Sequence, residues 1–175
     1  LMLTGASGDG KSSLIYAGII PNARAGFLKS KYTQWCVADL RPERTPFHNL
    51  CKAIARQLDI DSPLTVEAEL NHGFSAIIDL YKNSKRHIDT QSIAWQMADE
   101  KGKAALKREA ANLIILIDQF EEFFTNPENY HKGVPSRDAN LVLNLLLETA
   151  RIAFEEDLPI YIVFTMRSDY IGQCA

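Results

Sequence analysis

Four short runs of apolar residues recur along the chain, and they predict the strands of one β-sheet. They lie at residues 1–4, 34–40, 113–117 and 160–165. The third is a continuous run of Leu and Ile, which is typical of strands buried on both faces of a parallel sheet. Because these runs alternate with stretches of helical spacing, we expect an α/β fold with a parallel sheet and right-handed crossovers.

The stretches between these runs predict amphipathic helices. A helix is expected to begin near Lys11 and to stop before Pro21, because proline disrupts a helix interior. Another has Thr45 as its N-cap and Pro46 in its first turn. Six apolar residues follow there at helical spacing, namely Phe47, Leu50, Cys51, Ile54, Ala55 and Leu58. A third helix is predicted over about residues 138–152.

The stretch between the second and third apolar runs is longer than one ordinary crossover. We therefore expect a helical insertion around residues 61–111. One helix there is indicated by the spacing of Phe74, Ile77, Ile78 and Tyr81. A second helix, richer in Ala and Lys, is expected from Ile93 to Leu106.

The composition is that of one globular domain, with 175 residues of which 46% are hydrophobic and 23% charged. A net charge of −3 lacks the basic excess of nucleic-acid-binding segments, so no direct nucleic-acid contact is predicted. No apolar run reaches the roughly 18 residues of a membrane span, and no signal peptide is visible. The three cysteines, Cys36, Cys51 and Cys174, are scattered and odd in number, which predicts reduced thiols and a cytoplasmic location. Since the chain starts with Leu1, already in strand-like sequence, we expect it to be part of a longer polypeptide.

Residues 5–12 match the pattern G-x-x-x-x-G-K-[ST] in full, and they are called the phosphate loop below. Glycines let successive backbone N–H groups converge on phosphate oxygens, and the helix behind them adds the positive end of its dipole. Lys11 is expected to span the β- and γ-phosphates, and the hydroxyl of Ser12 to be a magnesium ligand. The competing interpretation is a chance glycine-rich turn, but the loop lies between a predicted strand and a predicted helix.

The predicted nucleotide-binding residues are Gly5, Ser7, Gly8, Asp9, Gly10, Lys11, Ser12 and Ser13. Among them Asp9 is unusual, because a carboxylate close to phosphate is repelled by it. We therefore expect the carboxylate of Asp9 to point outward from the loop.

Asp118 closes the strongest predicted strand and is soon followed by Glu121 and Glu122. A carboxylate at the tip of a strand beside the phosphate loop can hold Mg²⁺, usually through a water molecule. One of the two glutamates, with Glu122 preferred over Glu121, is then placed to orient or deprotonate the attacking water. The alternative is that both glutamates cap the next helical turn.

Arg167 follows the last apolar run. An arginine at a strand tip beside the nucleotide can sense or neutralise the charge of a γ-phosphate. From spacing alone, local pairing with Asp169 is the preferred interpretation.

Three motifs together resemble the STAND NTPases, which are signal-transduction ATPases with numerous domains. They are the phosphate loop followed by Ala17-Gly18-Ile19-Ile20-Pro21, the run Asp118-Gln119-Phe120-Glu121-Glu122, and Phe164-Thr165-Met166-Arg167-Ser168-Asp169-Tyr170. They are similar to the bacterial branch that is often joined to WD40 or other repeats. Arg41-Pro42 after the second strand also resembles the pattern of that branch, whereas residues 61–111 show no resemblance.

The resemblance implies a three-layer P-loop NTPase fold of the ASCE/AAA-like kind, with residues 1–175 as a truncated core of a larger multidomain protein. It implies a switch that binds ATP or ADP with Mg²⁺, hydrolyses ATP slowly and forms a homo-oligomer in a bacterial signalling, regulatory or defence protein. It also implies that Asp118 is the Walker B magnesium residue, with Glu121 or Glu122 as its acidic partner, and that Arg167 senses the γ-phosphate.

Two other functions compete with this one. The first is a nucleotide-bound scaffold for protein assembly that does not hydrolyse its ligand. The second is a small-molecule kinase, which is less favoured because neither an arginine-rich lid nor an acceptor pocket is recognisable.

Overall fold

The computed structural model describes residues 1–173, and its centre is a four-stranded parallel sheet. The strands are β1 (Met2–Gly5), β2 (Gln34–Leu40), β3 (Ala111–Ile117), β4 (Tyr130–His131), β5 (Val134–Pro135) and β6 (Ile160–Arg167). The large sheet has the order β1-β6-β3-β2, and β4 and β5 form a separate antiparallel pair. All four predicted strands are therefore confirmed, and they are parallel as expected.

Helices connect the strands and cover both faces of the sheet. They are α1 (Lys11–Ser13), α2 (Ile20–Arg24), α3 (Pro46–Leu58), α4 (Pro63–Leu70), α5 (Ala76–Asn83), α6 (Ile93–Met97), α7 (Glu100–Glu109), α8 (Glu122–Thr125) and α9 (Arg137–Glu155). A π-helical segment, Leu14–Ile19, joins α1 to α2, and a 3₁₀ helix, Ser168–Gln173, follows β6.

The core lies on both faces of the sheet, because alternate strand residues point to opposite sides. On one face, Leu113 and Ile115 of β3 pack with α3, α4, α5 and α9 in the larger apolar cluster. On the other face, Ile114 and Leu116 pack in a smaller cluster with Ile15 of the π-helical segment that follows α1. Every residue of β3 is buried, as predicted for a strand covered on both faces.

The first helix continues through Pro21, so the expectation that it stops before this residue is wrong. The segment before Pro21 is π-helical, and the N–H of Ile20 donates to the carbonyl of Ile15. This wider turn relieves the crowding that a proline ring causes in an α-helix. Pro21 then lies in the first turn of α2, directly after this π-helical segment.

The single helix predicted from Ile93 to Leu106 is also wrong, because it is divided into α6 and α7. Ala98 and Asp99 between them are extended, with ψ of 133° and 177°. Oδ1 of Asp99 accepts the N–H of Gly102 at 2.7 Å, and a short carboxylate of this kind favours a helix N-cap over a helix interior. The helical insertion itself is confirmed, since α4 to α7 all lie within residues 61–111.

The remaining helices largely follow their predicted patterns. All six apolar residues predicted for α3 are buried, and Thr45 is its N-cap, although its side chain makes no capping hydrogen bond. In α5, Ile77, Ile78 and Tyr81 are buried, whereas Phe74 precedes the helix and is exposed. The helix predicted over 138–152 is α9.

Cys36 and Cys51 are free and buried. Burial raises the pKa of both thiols, that of Cys51 to about 12. Cys174 lies outside the described residues. Within residues 1–173, no helix has both the length and the apolar character needed to cross a membrane.

Candidate functional site

The carboxyl ends of the parallel strands bring the predicted site residues to one edge of the sheet. Gly5 at the end of β1 is paired with Arg167 at the end of β6. Asp118 follows β3, and its N–H donates to the carbonyl of Leu40 at the end of β2 at 2.9 Å. The phosphate loop, Asp118 and Arg167 therefore share the edge at which open α/β sheets bind ligands.

The phosphate loop has the backbone that its glycines permit. Gly8 and Gly10 have φ of 88° and 74°, in the left-handed region that only glycine adopts without strain. Nζ of Lys11 lies against the start of the loop and donates to the carbonyls of Gly5 at 2.9 Å and Ala6 at 2.6 Å. A phosphate would offer this ammonium group charged acceptors, which form stronger hydrogen bonds than these neutral carbonyls.

Asp9 is exposed, but its carboxylate turns back to the loop. Oδ2 accepts the N–H of Ala6 at 2.6 Å, and the N–H of Asp9 donates to the carbonyl of Ala6 at 3.3 Å. A Cβ atom on Gly5 would lie 2.9 Å from the same oxygen, so a larger residue there would force the carboxylate of Asp9 to shift. The expectation that the carboxylate points outward is therefore wrong, because the nearby backbone N–H is a fixed donor that holds it in a local turn.

Ser12 and Asp118, the two predicted metal-binding residues, are in direct contact. Oγ of Ser12 donates to Oδ1 of Asp118 at 2.8 Å. This bond joins the start of the first helix to the end of β3. Ser7 and Ser13, which are predicted to contact phosphate, are exposed in the loop and in α1, and their roles remain predictions.

Asp118 is fully buried and receives four hydrogen bonds. Oδ1 also accepts the hydroxyl of Thr165 at 2.7 Å, and Oδ2 accepts Nε and Nη2 of Arg41 at 3.1 and 2.9 Å. Burial alone would raise the pKa of this carboxyl, but the hydrogen bonds from Thr165, Ser12 and Arg41 outweigh it. The pKa of Asp118 therefore lies below its ordinary value, and the side chain is ionised at neutral pH.

The two glutamates contact different strand ends. Oε2 of Glu121 is 3.3 Å from the N–H of Arg167 at the tip of β6. Oε2 of Glu122 accepts the N–H of Glu43, in the loop after β2, at 2.7 Å. Neither side chain caps α8, although Glu121 is its N-cap residue. Which of them acts on water remains a prediction.

Arg167 forms the local ion pair with Asp169 that its spacing favours. Its guanidinium also lies 5.3 Å from the centre of the Tyr170 ring. The pKa of Asp169 is below its ordinary value because of the hydrogen bond from Arg167, and the charge of Lys11 acts in the same direction. This corner is thus close enough to the phosphate loop for the charges to interact, while γ-phosphate sensing by Arg167 remains a prediction.

Arg41 and Thr165 are part of this site, but the sequence gives them no role in it. Arg41 follows β2 directly, and Thr165 lies near the end of β6, two residues before Arg167. Because parallel strands end at one edge of a sheet, polar residues at the ends of β2 and β6 belong near Asp118. That positional signal could have identified both residues.

The donor atoms fit Mg²⁺, which prefers oxygen ligands. The hydroxyl oxygen of Ser12 and a carboxylate oxygen of Asp118 lie together at the phosphate loop. Residues 1–173 contain no group of three or more His, Cys, Asp or Glu side chains that could hold a metal. Phosphate and water oxygens would therefore have to supply most of the coordination shell.

The sequence matches the family model described as Novel STAND NTPase 1 over residues 1–175. The chain belongs to this family. The resemblance to STAND NTPases is thereby confirmed, and membership indicates nucleotide binding and hydrolysis in general terms. Searches among curated proteins and among solved structures found no match to this STAND NTPase.

Proposed function

We propose that this STAND NTPase binds ATP with Mg²⁺ and hydrolyses it slowly as a conformational switch. The observation that supports the proposal most directly is the 2.8 Å hydrogen bond between Ser12 and Asp118. It joins the helix that follows the phosphate loop to the acidic end of β3. In P-loop NTPases, a hydroxyl from the phosphate loop and an acidic strand residue hold the metal of the bound triphosphate.

The order of the strands is consistent with this function. β6 lies between β1, which leads into the phosphate loop, and β3, which ends at Asp118. Helices cover both faces of the sheet. We take this arrangement as support for the three-layer ASCE/AAA-like P-loop fold that the resemblance implies.

In the proposed site, the chain's own groups bind and orient the triphosphate. Backbone N–H groups of the phosphate loop bind phosphate oxygens, and Lys11 exchanges two neutral carbonyls for the β- and γ-phosphates. Ser12 and Asp118 hold Mg²⁺, which neutralises phosphate charge when it is bound. Glu121 or Glu122 orients the attacking water. Ser13, in the first turn of α1, contacts a phosphate of the nucleotide.

The switch itself would use Arg167. Its guanidinium is shared between Asp169 and the ring of Tyr170, just beyond the strand that is paired with the phosphate loop. A γ-phosphate would compete with Asp169 for this guanidinium, and hydrolysis would return it. By family similarity, the change would be transmitted to other domains of the parent chain and to a homo-oligomer, in a cytoplasmic signalling, regulatory or defence protein of bacteria.

Replacing Lys11 tests the binding step. Lys11→Ala is expected to weaken ATP binding by about 100-fold or more, because it removes charge-assisted hydrogen bonds worth roughly 3 kcal/mol. Isothermal titration calorimetry in the presence of Mg²⁺ measures this change. Lys85→Ala, at an exposed lysine, is the matched control and should bind like the unchanged protein. Equal affinity in Lys11→Ala would remove the central claim.

The non-hydrolysing scaffold is a second candidate, favoured by one observation. Both candidate bases are already engaged by backbone N–H groups, Glu121 by Arg167 and Glu122 by Glu43. Single-turnover hydrolysis with radiolabelled ATP separates the two functions. Cleavage by the unchanged protein supports the NTPase, whereas bound ATP that stays intact for hours supports the scaffold.

A further inference from the structure

Arg41 contacts the carboxylate that the proposed function assigns to the metal. Its Nε and Nη2 donate to Oδ2 of Asp118 at 3.1 and 2.9 Å. On the other oxygen, Oδ1, the donors are Ser12 and Thr165 at 2.8 and 2.7 Å. Each oxygen of Asp118 therefore already has two hydrogen-bond donors, and one oxygen is bound to a positive charge.

The position of Arg41 is fixed by the loop that carries it. Nδ2 of Asn49 donates to the carbonyl of Arg41 at 3.0 Å. Two residues further on, the N–H of Glu43 donates to Glu122 at 2.7 Å, and its carbonyl accepts Nδ2 of Asn129 at 2.6 Å. The loop after β2 is thus tied both to α3 and to the segment after β3. The backbone of Arg41 is therefore held beside Asp118, although its side chain is about half exposed.

The electrostatic consequence follows from the burial of the pair. The side chain of Asp118 is 1% exposed and that of Arg41 is 47% exposed. An ion from solvent therefore reaches the carboxylate of Asp118 only past the side chains that bond to it. A divalent cation that approaches Asp118 meets a pair whose net charge is zero. Because the guanidinium donates to Oδ2 at 3.1 and 2.9 Å, it repels a cation at that oxygen, and water around its half-exposed side chain screens part of this repulsion.

We propose that Arg41 is a gating cation, which makes metal binding at Asp118 conditional on a bound triphosphate. It cancels the charge of Asp118, so that a divalent cation is retained only when phosphate oxygens add their own negative charge. A cavity of about 440 Å³, lined in part by Tyr16, Asp39 and Asn49, adjoins Arg41 and gives the guanidinium room to move. The proposal rests on the proposed function, but its main consequence concerns metal without nucleotide.

The test measures Mn²⁺ binding to the nucleotide-free protein by electron paramagnetic resonance, in which the signal of free Mn²⁺ is lost on binding. The unchanged protein is expected to bind Mn²⁺ weakly. Arg41→Gln should bind it at least about tenfold more tightly, because a unit charge within a few ångströms of the ion has been removed. Arg41→Lys keeps the charge and should bind as weakly as the unchanged protein. Arg44→Gln, at a 79% exposed arginine, is the matched control and should cause no change.

Two further measurements keep the result interpretable. The double variant Arg41→Gln/Asp118→Asn should lose the gain in affinity, which assigns the gained site to Asp118. Tight Mn²⁺ binding by the unchanged protein without nucleotide would overturn the proposal, and so would a gain that survives in the double variant. This first outcome needs no variant to fold. If the unchanged protein fails to bind ATP, the proposed function and the gate both fail. If it binds ATP but Arg41→Gln gains no affinity for Mn²⁺, only the gate fails.

Discussion

At the scale of single residues, the carboxylate of Asp9 has two opposite effects: it stabilises the phosphate loop, and it repels a negatively charged ligand. It stabilises the loop by accepting the N–H of Ala6, and a side chain at Gly5 would displace its carboxylate from this position. The same negative charge lies within the loop that is proposed to bind a triphosphate. The stability of the loop and its affinity for phosphate therefore depend on Asp9 in opposite directions.

Asp9→Asn separates these two effects, because an amide oxygen can still accept the N–H of Ala6 while the charge is lost. We expect ATP to bind roughly three- to tenfold more tightly, since one nearby charge contributes about 1 kcal/mol in water-like surroundings. Calorimetry at low and high salt measures the gain, which should shrink as salt screens the charge. Asp61→Asn, at an exposed site, is the control for net charge. Weaker binding by Asp9→Asn would show that the ionised carboxylate is needed to hold the loop.

At the scale of elements, the strands were the most predictable part of the fold. β2 has the predicted bounds, because its apolar run is long enough to outweigh its polar neighbours. The helices were less predictable where local chemistry decides their ends. Neither the π-helical turn that admits Pro21 nor the N-cap formed by Asp99 is visible in apolar spacing.

The site was predictable where it consists of one continuous motif. The phosphate loop and Asp118 have signatures that can be recognised in the chain itself. The pair between Arg41 and Asp118 joins residues 77 positions apart, and it depends on the order of the strands. A single sequence contains no direct record of that order. The positions of Arg41 and Thr165 at strand ends therefore indicate that they lie near Asp118, but not that they contact it.

The two neighbouring glutamates in the turn from β3 into α8 direct their carboxylates to different parts of the site, and this makes their roles testable. The carboxylate of Glu121 lies at the tip of β6, whose Arg167 is paired with Gly5, whereas Glu122 is held by the loop after β2. We therefore expect Glu121→Gln to slow single-turnover ATP hydrolysis by about 100-fold or more with little loss of binding. Glu122→Gln should keep most of the rate, because an amide oxygen still accepts the N–H of Glu43. The opposite result would identify Glu122 as the base, in agreement with the prediction from the sequence.

At the scale of the whole molecule, the site is built where the chain is most tightly connected. β3 lies in the middle of the sheet, all of its residues are buried, and it pairs with β2 and β6. Its end at Asp118 is bonded to residues from the first helix, from the loop after β2 and from β6. Ionisation of this one carboxylate is therefore linked to the stability of the fold.

The linkage predicts how stability changes with pH. Because the pKa of Asp118 in the folded protein is below its ordinary value of 3.8, its ionised form stabilises the fold at higher pH, and this contribution is lost as the pH falls below that value. Asp118→Asn should lower the free energy of unfolding by about 2 kcal/mol near neutral pH, less than for a fully buried pair because Arg41 remains partly hydrated.

Urea denaturation of the unchanged protein and of Asp118→Asn, between about pH 6 and about pH 3, measures this linkage. The difference in unfolding free energy should be constant near pH 6 and should shrink toward pH 3, because there the carboxyl of the unchanged protein takes up a proton when the protein unfolds. Asp61→Asn corrects for the loss of one surface charge. A difference that stays constant over the whole range would mean that Asp118 stabilises the fold through its shape and hydrogen bonds, and that its charge contributes nothing.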